Sequence, residues 1–490
     1  MGAQSTEQVA DKQRPAAGAA KRQQSRRLAW LDALRGLAAL AVVFDHGSTL
    51  LLEPARDFLY HVLNLGQYGV FVFFLVSGYI IPASLERKGS VRSFWISRAF
   101  RLYPMYLVAI GLSALAYYTR LGTVDGAEHH PLASVSSWVL MMPNLLTGTN
   151  VPNVVWTLSY EMVFYLLLAA LFSWNVHRRS GTYAVGCAIA ALALGGILPL
   201  AALAKWAGAA GHGQFYLSLT ADVLILGGIA LAVTGRGKLV RIGTSVAALC
   251  ALTLVTVNQT YPYPWSGFTI LGLMFTGTLI YRAQQGDVKK STAAFVVAVV
   301  LAATVAAGLW HGYSYGGQWR AQWVSSLVLA AVTFGLGMAV RNFRIPNALA
   351  WLGLVSYSVY LLHPLIFDAY RDIPVLHQHH PISTQLWLAA AILVVIFAAS
   401  GATYYGIEKP MQRLGRRVAN AFPETPAPAP AAPPPPAAGA ASAPPASPPS
   451  PPPAPSAPSA SAAPSAPATP LAPPAASPPA PLPPLRGSLR

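Results

Sequence analysis

The sequence predicts an all-α, polytopic helical membrane protein with about 10–12 transmembrane helices and a disordered Pro/Ala/Ser-rich C-terminal tail. Three observations predict it. Of the 490 residues 54% are hydrophobic and only 10% charged, far below the ~25% charged of soluble domains. Apolar stretches of about 20 residues, the length that crosses a bilayer, recur from Leu28 to Ile407. Basic clusters stand at every second junction between them, namely Arg87/Lys88/Arg92, His177/Arg178/Arg179, Arg236/Lys238/Arg241, Arg282/Lys289/Lys290, Arg341/Arg344 and Lys409/Arg413/Arg416/Arg417. That alternation marks cytoplasmic loops and an even number of spans, so a multi-pass protein of the inner (plasma) membrane with both termini in the cytoplasm is expected. The net charge of +17 sits in these short loops and is not a nucleic-acid footprint. Cys187 and Cys250 both fall inside apolar spans, which gives neither a disulfide framework nor metal-ligand spacing.

Three regions follow: a basic cytoplasmic segment, 1–27, without a signal peptide's cleavage site; a membrane domain, 28–417; and the tail, 418–490. The first span, Leu28–Leu52, holds Asp32, Arg35, Asp45 and His46 in an otherwise apolar run. Each ionisable group at membrane depth costs roughly 2.5–3.5 kcal/mol on insertion scales, and so marks a candidate site. Arg35 and His46 are close to three whole turns apart, on nearly one face, roughly 16 Å apart along the axis. The second span is expected near Leu59–Leu85, followed by a basic loop from Glu86 to Pro104, and the third span starts near Tyr103. The polar stretch from about Arg120 to Val155 should face outward, with Trp138–Leu145 dipping into the interface. Trp156–Trp174 is the fourth span. Later ones are Thr182–Trp206, Phe215–Thr234, Ile242–Val257, Trp265–Tyr281, Thr292–Trp310, Trp323–Val340, Leu349–Phe367 and Leu386–Ile407. From Pro423 onward Pro, Ala and Ser dominate, a composition that builds no core and favours partly polyproline-II disorder.

Five local patterns carry chemistry-bearing residues. Leu34-Arg35-Gly36 is followed by His46; the structural alternative is Arg35 paired with Asp32 and a histidine satisfied by a neighbouring helix. Gly69–Ile81 contains Ser77-Gly78, which reads first as helix packing. Phe94–Pro104 puts Arg98 and Arg101 on one helical face, either as positive-inside anchors or as a phosphate clamp of guanidinium forks. Trp156–Tyr165 places Glu161 about a turn and a half inside the membrane, or as a boundary carboxylate among interfacial aromatics. Leu352–Pro364 brings Ser356, Tyr357 and a second intramembrane histidine, His363, which alone would read as structural.

In this order the five patterns, with Asp222 in TADVLILGGIALA and Tyr404 followed by Glu408-Lys409-Pro410, resemble the acyltransferase family 3 membrane proteins. That family O-acylates sugars, polysaccharides and some antibiotics. The resemblance covers about Leu28 to Arg417. Many members carry two adjacent acidic residues after the tryptophan motif, whereas here Tyr160 precedes a single Glu161, a variant similar to the exopolysaccharide O-acetylating branch. The esterase-like domain appended to larger members is not expected here, so the membrane domain itself is expected to deliver the acyl group to the acceptor.

The resemblance implies an O-acyltransferase that uses acyl-CoA, above all acetyl-CoA, as co-substrate, with no bound cofactor and no metal. Its acceptor is a hydroxyl of a carbohydrate, an exported or surface polysaccharide or lipid-linked glycan, and its remaining partner is membrane lipid. Arg35, Arg98 and Arg101 are the candidates for acyl-CoA, His46 and Glu161 for catalysis. His46 serves as general base, with a covalent acyl-His46 as the variant route. Asp45 points about 100° from its neighbour, so Glu161 is the expected orienter of His46. Tyr160, Ser356 or Tyr357 would donate to the oxyanion. Asp32, Asp45, Trp156, Asp222 and His363 are supporting residues. The alternatives are acylation of a small metabolite such as a macrolide, and a transporter or flippase; the paired broken helices of internal repeats, common in transporters, are not found.

Overall fold

The computed structural model describes residues 29–47, 61–119, 131–146, 148–208, 212–260, 263–312, 317–371 and 381–422. The expected basic N-terminal segment, 1–27, lies outside them, as does the expected tail from 423 on. Helices α1 (29–47), α2 (Leu65–Lys88), α3 (Val91–Tyr118), α4 (Pro131–Val139), α5 (Trp156–Ser173), α6 (Ser180–Leu194) and α7 (Ala202–Ala207) are followed by α8 (Gly213–Thr234), α9 (Lys238–Val257), α10 (Pro264–Gln285), α11 (Lys290–His311), α12 (Gly317–Ala339), α13 (Asn347–Arg371), α14 (Ile382–Thr403) and α15 (Lys409–Ala421). No strand occurs among the described residues. Nine helices among them are long and apolar enough to cross a membrane. With α1, the shorter α6, and α10, every one of the expected apolar stretches contains a helix. The chain is an all-α, polytopic membrane protein.

The polar first helix is wrapped by helices from both ends of the chain. Gly36 and Gly353 let α1 and α13 touch backbone to backbone: a Cβ on Gly353 would collide with the Asp32 carbonyl, and one on Gly36 with Leu352. Small residues give membrane helices this kind of contact, where dispersion rather than water exclusion drives association. On α2, Gly69 does the same against Ala38. Trp30 meets Tyr79 of α2 and Phe334 of α12 edge-on, with centroids 5.6 and 5.7 Å apart. Ala39 and Val43 complete a cluster with Val355, Val359 and Phe367 of α13 and Ile392 and Ile396 of α14. Gly78 serves packing, since it lies against the Met274 backbone of α10, while Ser77 lines a cavity.

One local expectation is corrected. The third span begins at Val91, not near Tyr103. Gly89 closes α2 in the left-handed region (φ 63°), and Ser90 caps α3 by accepting from Ser93 N at 3.1 Å. The expected basic loop thus shrinks to a two-residue turn, and Arg92, Arg98 and Arg101 become helical. The stretch after α4 is enclosed by protein: Leu140, Met141, Met142, Asn144, Leu145 and Leu146 are all fully buried. Its backbone polar groups are satisfied from within, as burial demands: Asn258 Nδ2 donates to Leu145 O at 2.8 Å, and Thr260 Oγ1 to Asn144 O at 2.8 Å.

Candidate functional site

Two cavities lie along α1. The larger, about 1000 Å³, is lined on α1 by Trp30, Asp32 and Arg35, and on α2 from Val70 to Arg87. Seventeen residues of helix rise about 25 Å, so this is a long channel rather than a bowl. Arg87, Lys290 and Arg341 stand at its basic end. Deeper in lie Arg35, Arg98, Arg101, Glu161, Ser356 and Tyr357. Arg35 is within electrostatic reach of Arg101, Asp32, Glu161 and Glu408, so the guanidiniums meet carboxylates from α1, α5 and the π-helical turn Tyr404–Glu408.

Arg98 is buried. Its guanidinium carbon stands 5.4 Å from the Phe94 ring and 5.3 Å from the Tyr165 ring. Nη1 donates to Tyr165 Oη at 3.4 Å, and that hydroxyl donates to Glu161 Oε1. Arg98 Nε has no hydrogen-bond partner among the described residues. A desolvated guanidinium with a spare N–H is a site for an anionic or carbonyl oxygen. Tyr357 Oη donates to Leu102 O at 3.0 Å, and Ser356 Oγ to Gly353 O at 2.8 Å. Glu408 accepts from Ser358 Oγ.

The second cavity, about 420 Å³, holds Asp45 and His46 on α1. His46 Nδ1 lies 2.9 Å from Val42 O, and His363 Nδ1 lies 3.0 Å from Val359 O. Pinning Nδ1 as a donor to a carbonyl leaves Nε2 as the basic nitrogen of each neutral ring. The two rings are edge to face with centroids 5.1 Å apart. His363 is fully buried, and its Nε2 has no partner among the described residues. Around them stand Trp156, Tyr263 and Trp319, with the amides Asn64, Gln67 and Asn153. Asp45 accepts from the backbone N–H groups of Leu65 and Gly66, so it sits on the α2 N-terminus, where the helix dipole favours a carboxylate.

Val70 and Tyr360 line both cavities. On α13 the order is Ser356 and Tyr357 in the larger cavity, then Tyr360 at the junction, then His363 beside His46. The rise from Ser356 to His363 is about 10 Å.

Several expected roles fall differently. Glu161 lies with the arginines and not with His46, because Tyr165 one turn on holds its carboxylate; the group brought to His46 is His363. Tyr160 is fully buried and turned away from the arginine cavity, with its hydroxyl accepting from Asn144 Nδ2 at 3.2 Å. It is thus not placed to meet an oxyanion there. Asp222 lines neither cavity: it accepts from Ser136 Oγ and ties α4 to α8. Trp156 lines the smaller cavity. Residue-by-residue reading missed Tyr360 and Glu408 as parts of the site. Tyr360 shares one face with Tyr357 and Pro364 at i+3 and i+4 spacing, a signal within Leu352–Pro364; Glu408 joins the cluster only through tertiary folding.

Comparison with known proteins adds the family. The model of the acyltransferase domain (Acyl_transf_3) matches residues 28–405. The chain is 34% identical over 149 residues to acyltransferase MdmB of Streptomyces mycarofaciens, covering 29% of this chain and 38% of that one. It is 30% identical to exopolysaccharide production protein ExoZ of Rhizobium meliloti over 27% of this chain and 44% of the relative. It is 24% identical to putative peptidoglycan O-acetyltransferase YrhL of Bacillus subtilis over 81% of this chain and 57% of the relative. Each alignment thus takes in less than two thirds of the relative's own length. No solved structure matches the chain significantly. With the domain model spanning more than three quarters of the sequence, over the helices that build both cavities, the chain belongs to the acyltransferase 3 family of membrane proteins.

Proposed function

We propose that this protein is an integral membrane O-acyltransferase moving an acetyl group from cytoplasmic acetyl-CoA to a hydroxyl of a carbohydrate, an exported or surface polysaccharide or lipid-linked glycan. The observation that carries this reading is the pair of cavities meeting at Val70 and Tyr360, one cation-lined, the other lined by His46 with the buried His363 edge to face against its ring. The channel's basic end bears the residues that the positive-inside rule assigns to the cytoplasm. In this reading both chain termini are cytoplasmic, in the plasma membrane.

The nucleotide of CoA enters past Arg87, Lys290 and Arg341, its diphosphate is held inside that end within reach of their side chains, and the pantetheine arm runs on inward along α2 over the remaining length of the channel. That arm measures about 15 Å from its phosphate ester oxygen to sulfur when extended, by standard bond lengths. It carries the thioester past Arg98 toward Tyr360. The deep arginines face carboxylates, so they suit a neutral, polarised carbonyl better than a phosphate. His46 Nε2 takes the proton of the acceptor hydroxyl as its oxygen attacks the thioester carbon. The C–O bond forms, the C–S bond breaks, and the proton passes from the imidazolium to the departing CoA thiolate. His363 holds the His46 ring edge to face. The smaller cavity offers aromatic faces and side-chain amides, the chemistry that receives a sugar's C–H face and hydroxyls; the relatives named for exopolysaccharide production and peptidoglycan O-acetylation support a glycan acceptor.

The test is membranes carrying the full chain, given radiolabelled acetyl-CoA, with base-labile label followed into the glycan fraction. The wild type is expected to label it. His46→Ala is expected to lower labelling by about 10²–10⁴-fold, the usual worth of a general base, with membrane insertion intact. Labelling by His46→Ala at the wild-type level overturns the proposal.

A further inference from the structure

The junction between the two cavities is a built feature. Val42 of α1, Val154 and Tyr360 form one buried cluster, with Phe73 of α2 packed on it, and Val70, like Tyr360, lines both cavities. Tyr360 is held on both sides. Its hydroxyl is 2.9 Å from Thr157 Oγ1 and donates to Val154 O at 3.2 Å. Its ring meets Phe73 edge-on at 5.6 Å and His363 at 6.0 Å. Close-packed side chains fixed in this way do not stretch to admit extra methylenes without cost.

We infer that this septum, Val42, Val70, Phe73, Val154 and Tyr360, is the acyl-length selector of the enzyme. The inference rests on the acyl-CoA reading above and deepens it. A thioester entering from the basic end reaches the septum with its acyl group leading, and the carbonyl must stop where the His46 side becomes accessible. The room beyond the carbonyl is therefore set by the septum residues and not by the arginines behind it. A two-carbon group passes between Val70 and Tyr360; a longer chain meets Phe73 and Val42. The same septum keeps the nucleotide and the acceptor in separate chambers, so that the acyl group alone changes side. Tyr360 acts as a specificity residue through shape, and its hydroxyl bonds hold that shape.

The experiment uses the full chain in detergent and unreactive thioether analogues: CoA, S-ethyl-CoA, S-butyl-CoA and S-hexyl-CoA, with affinity read by thermophoresis. The wild type is expected to bind S-hexyl-CoA at least tenfold more weakly than S-ethyl-CoA. Val70→Ala and Tyr360→Ala each enlarge the opening and are expected to reduce that ratio to less than threefold, with CoA itself as the internal reference. Val70→Ala is the milder change and reports if Tyr360→Ala fails to fold. Equal wild-type affinity for all chain lengths, or unchanged discrimination in a folded variant, overturns the septum assignment while leaving the donor reading standing. Failure of the wild type to bind CoA at all overturns the donor reading, and the assignment with it.

Discussion

At the scale of single residues the site is a contrast between two kinds of nitrogen group. Arg98 is clamped between Phe94 and Tyr165 with one N–H left over; His46 and His363 are imidazoles whose Nδ1 atoms are held by carbonyls of their own helices. A planar guanidinium stacks on rings and forks its donors, whereas an ammonium does neither. Arg98→Lys is therefore expected to keep the charge and still raise KM for acetyl-CoA by about tenfold, the worth of one hydrogen bond to a charged group. Saturation kinetics on membranes check this, and an unchanged KM would remove Arg98 from the donor path. The histidine on α1 was legible in the sequence because burying an ionisable group in an apolar run is costly. Its partner was not, because Asp45 and Glu161 were the visible candidates, and nothing local shows that α13 crosses α1 at that height.

Among the helices, the crossings are set by glycine and the basic end by a buried ion pair. Gly353→Val pushes a branched side chain into the Asp32 backbone. Overpacking of this kind costs about 1–3 kcal/mol, and more where backbone has to move. The expected result is a lowered melting temperature together with lost transfer, while Gly335→Val, with open space around it, leaves melting unchanged. At the other end Arg282 donates to both Glu86 oxygens, Nη1 to Oε2 at 2.9 Å, and to Asp287 Oδ2 at 3.2 Å. It joins α2 to α10 while 1% exposed. Removing one partner of a buried pair costs about 3–5 kcal/mol because the other stays charged; with Glu86 partly exposed the lower end applies. Arg282→Met is expected to melt several degrees lower in a thermal scan.

His177, in the α5–α6 loop, stands 3.5 Å from the same Glu86. Burial pushes its imidazole below the ordinary 6.5, Glu86 pulls it back up, and Arg282 and Arg178 push it down again. With the folded value depressed, the unfolded chain takes the proton first as pH falls. Stability is thus full above pH 6.5 and declines below it until the folded group protonates too. His177→Gln should flatten that slope in melting curves recorded from pH 8 to 5. Helix existence was readable here from apolar runs alone. The turn at Gly89-Ser90 was also written in the sequence, as a left-handed cap followed by an N-cap, but the density of arginines around it reads as loop. The buried stretch after α4 was not readable, since its polar residues earn their place through partners more than a hundred residues away.

For the whole molecule, the family and the fold class were legible because both rest on ordered, local patterns. The two-chamber layout was not, because it depends on which helices touch. The feature that governs it is the placement of α1, made before the other described helices, against α12 and α13, made after most of them. Asp45 meets the α2 N-terminus and Arg35 the charges of α3 and α5, but His46 lacks its ring partner until α13 is in place. The two imidazoles cannot meet before α13 is inserted. Chains truncated after residue 340 are therefore expected to yield no transfer and to be cleared rapidly in a pulse–chase experiment. Co-expression of 341–490 in trans is expected to lengthen their lifetime. Such an outcome would make completion of the site a condition of the protein's survival, with the unpartnered charges of α1 marking an unfinished chain.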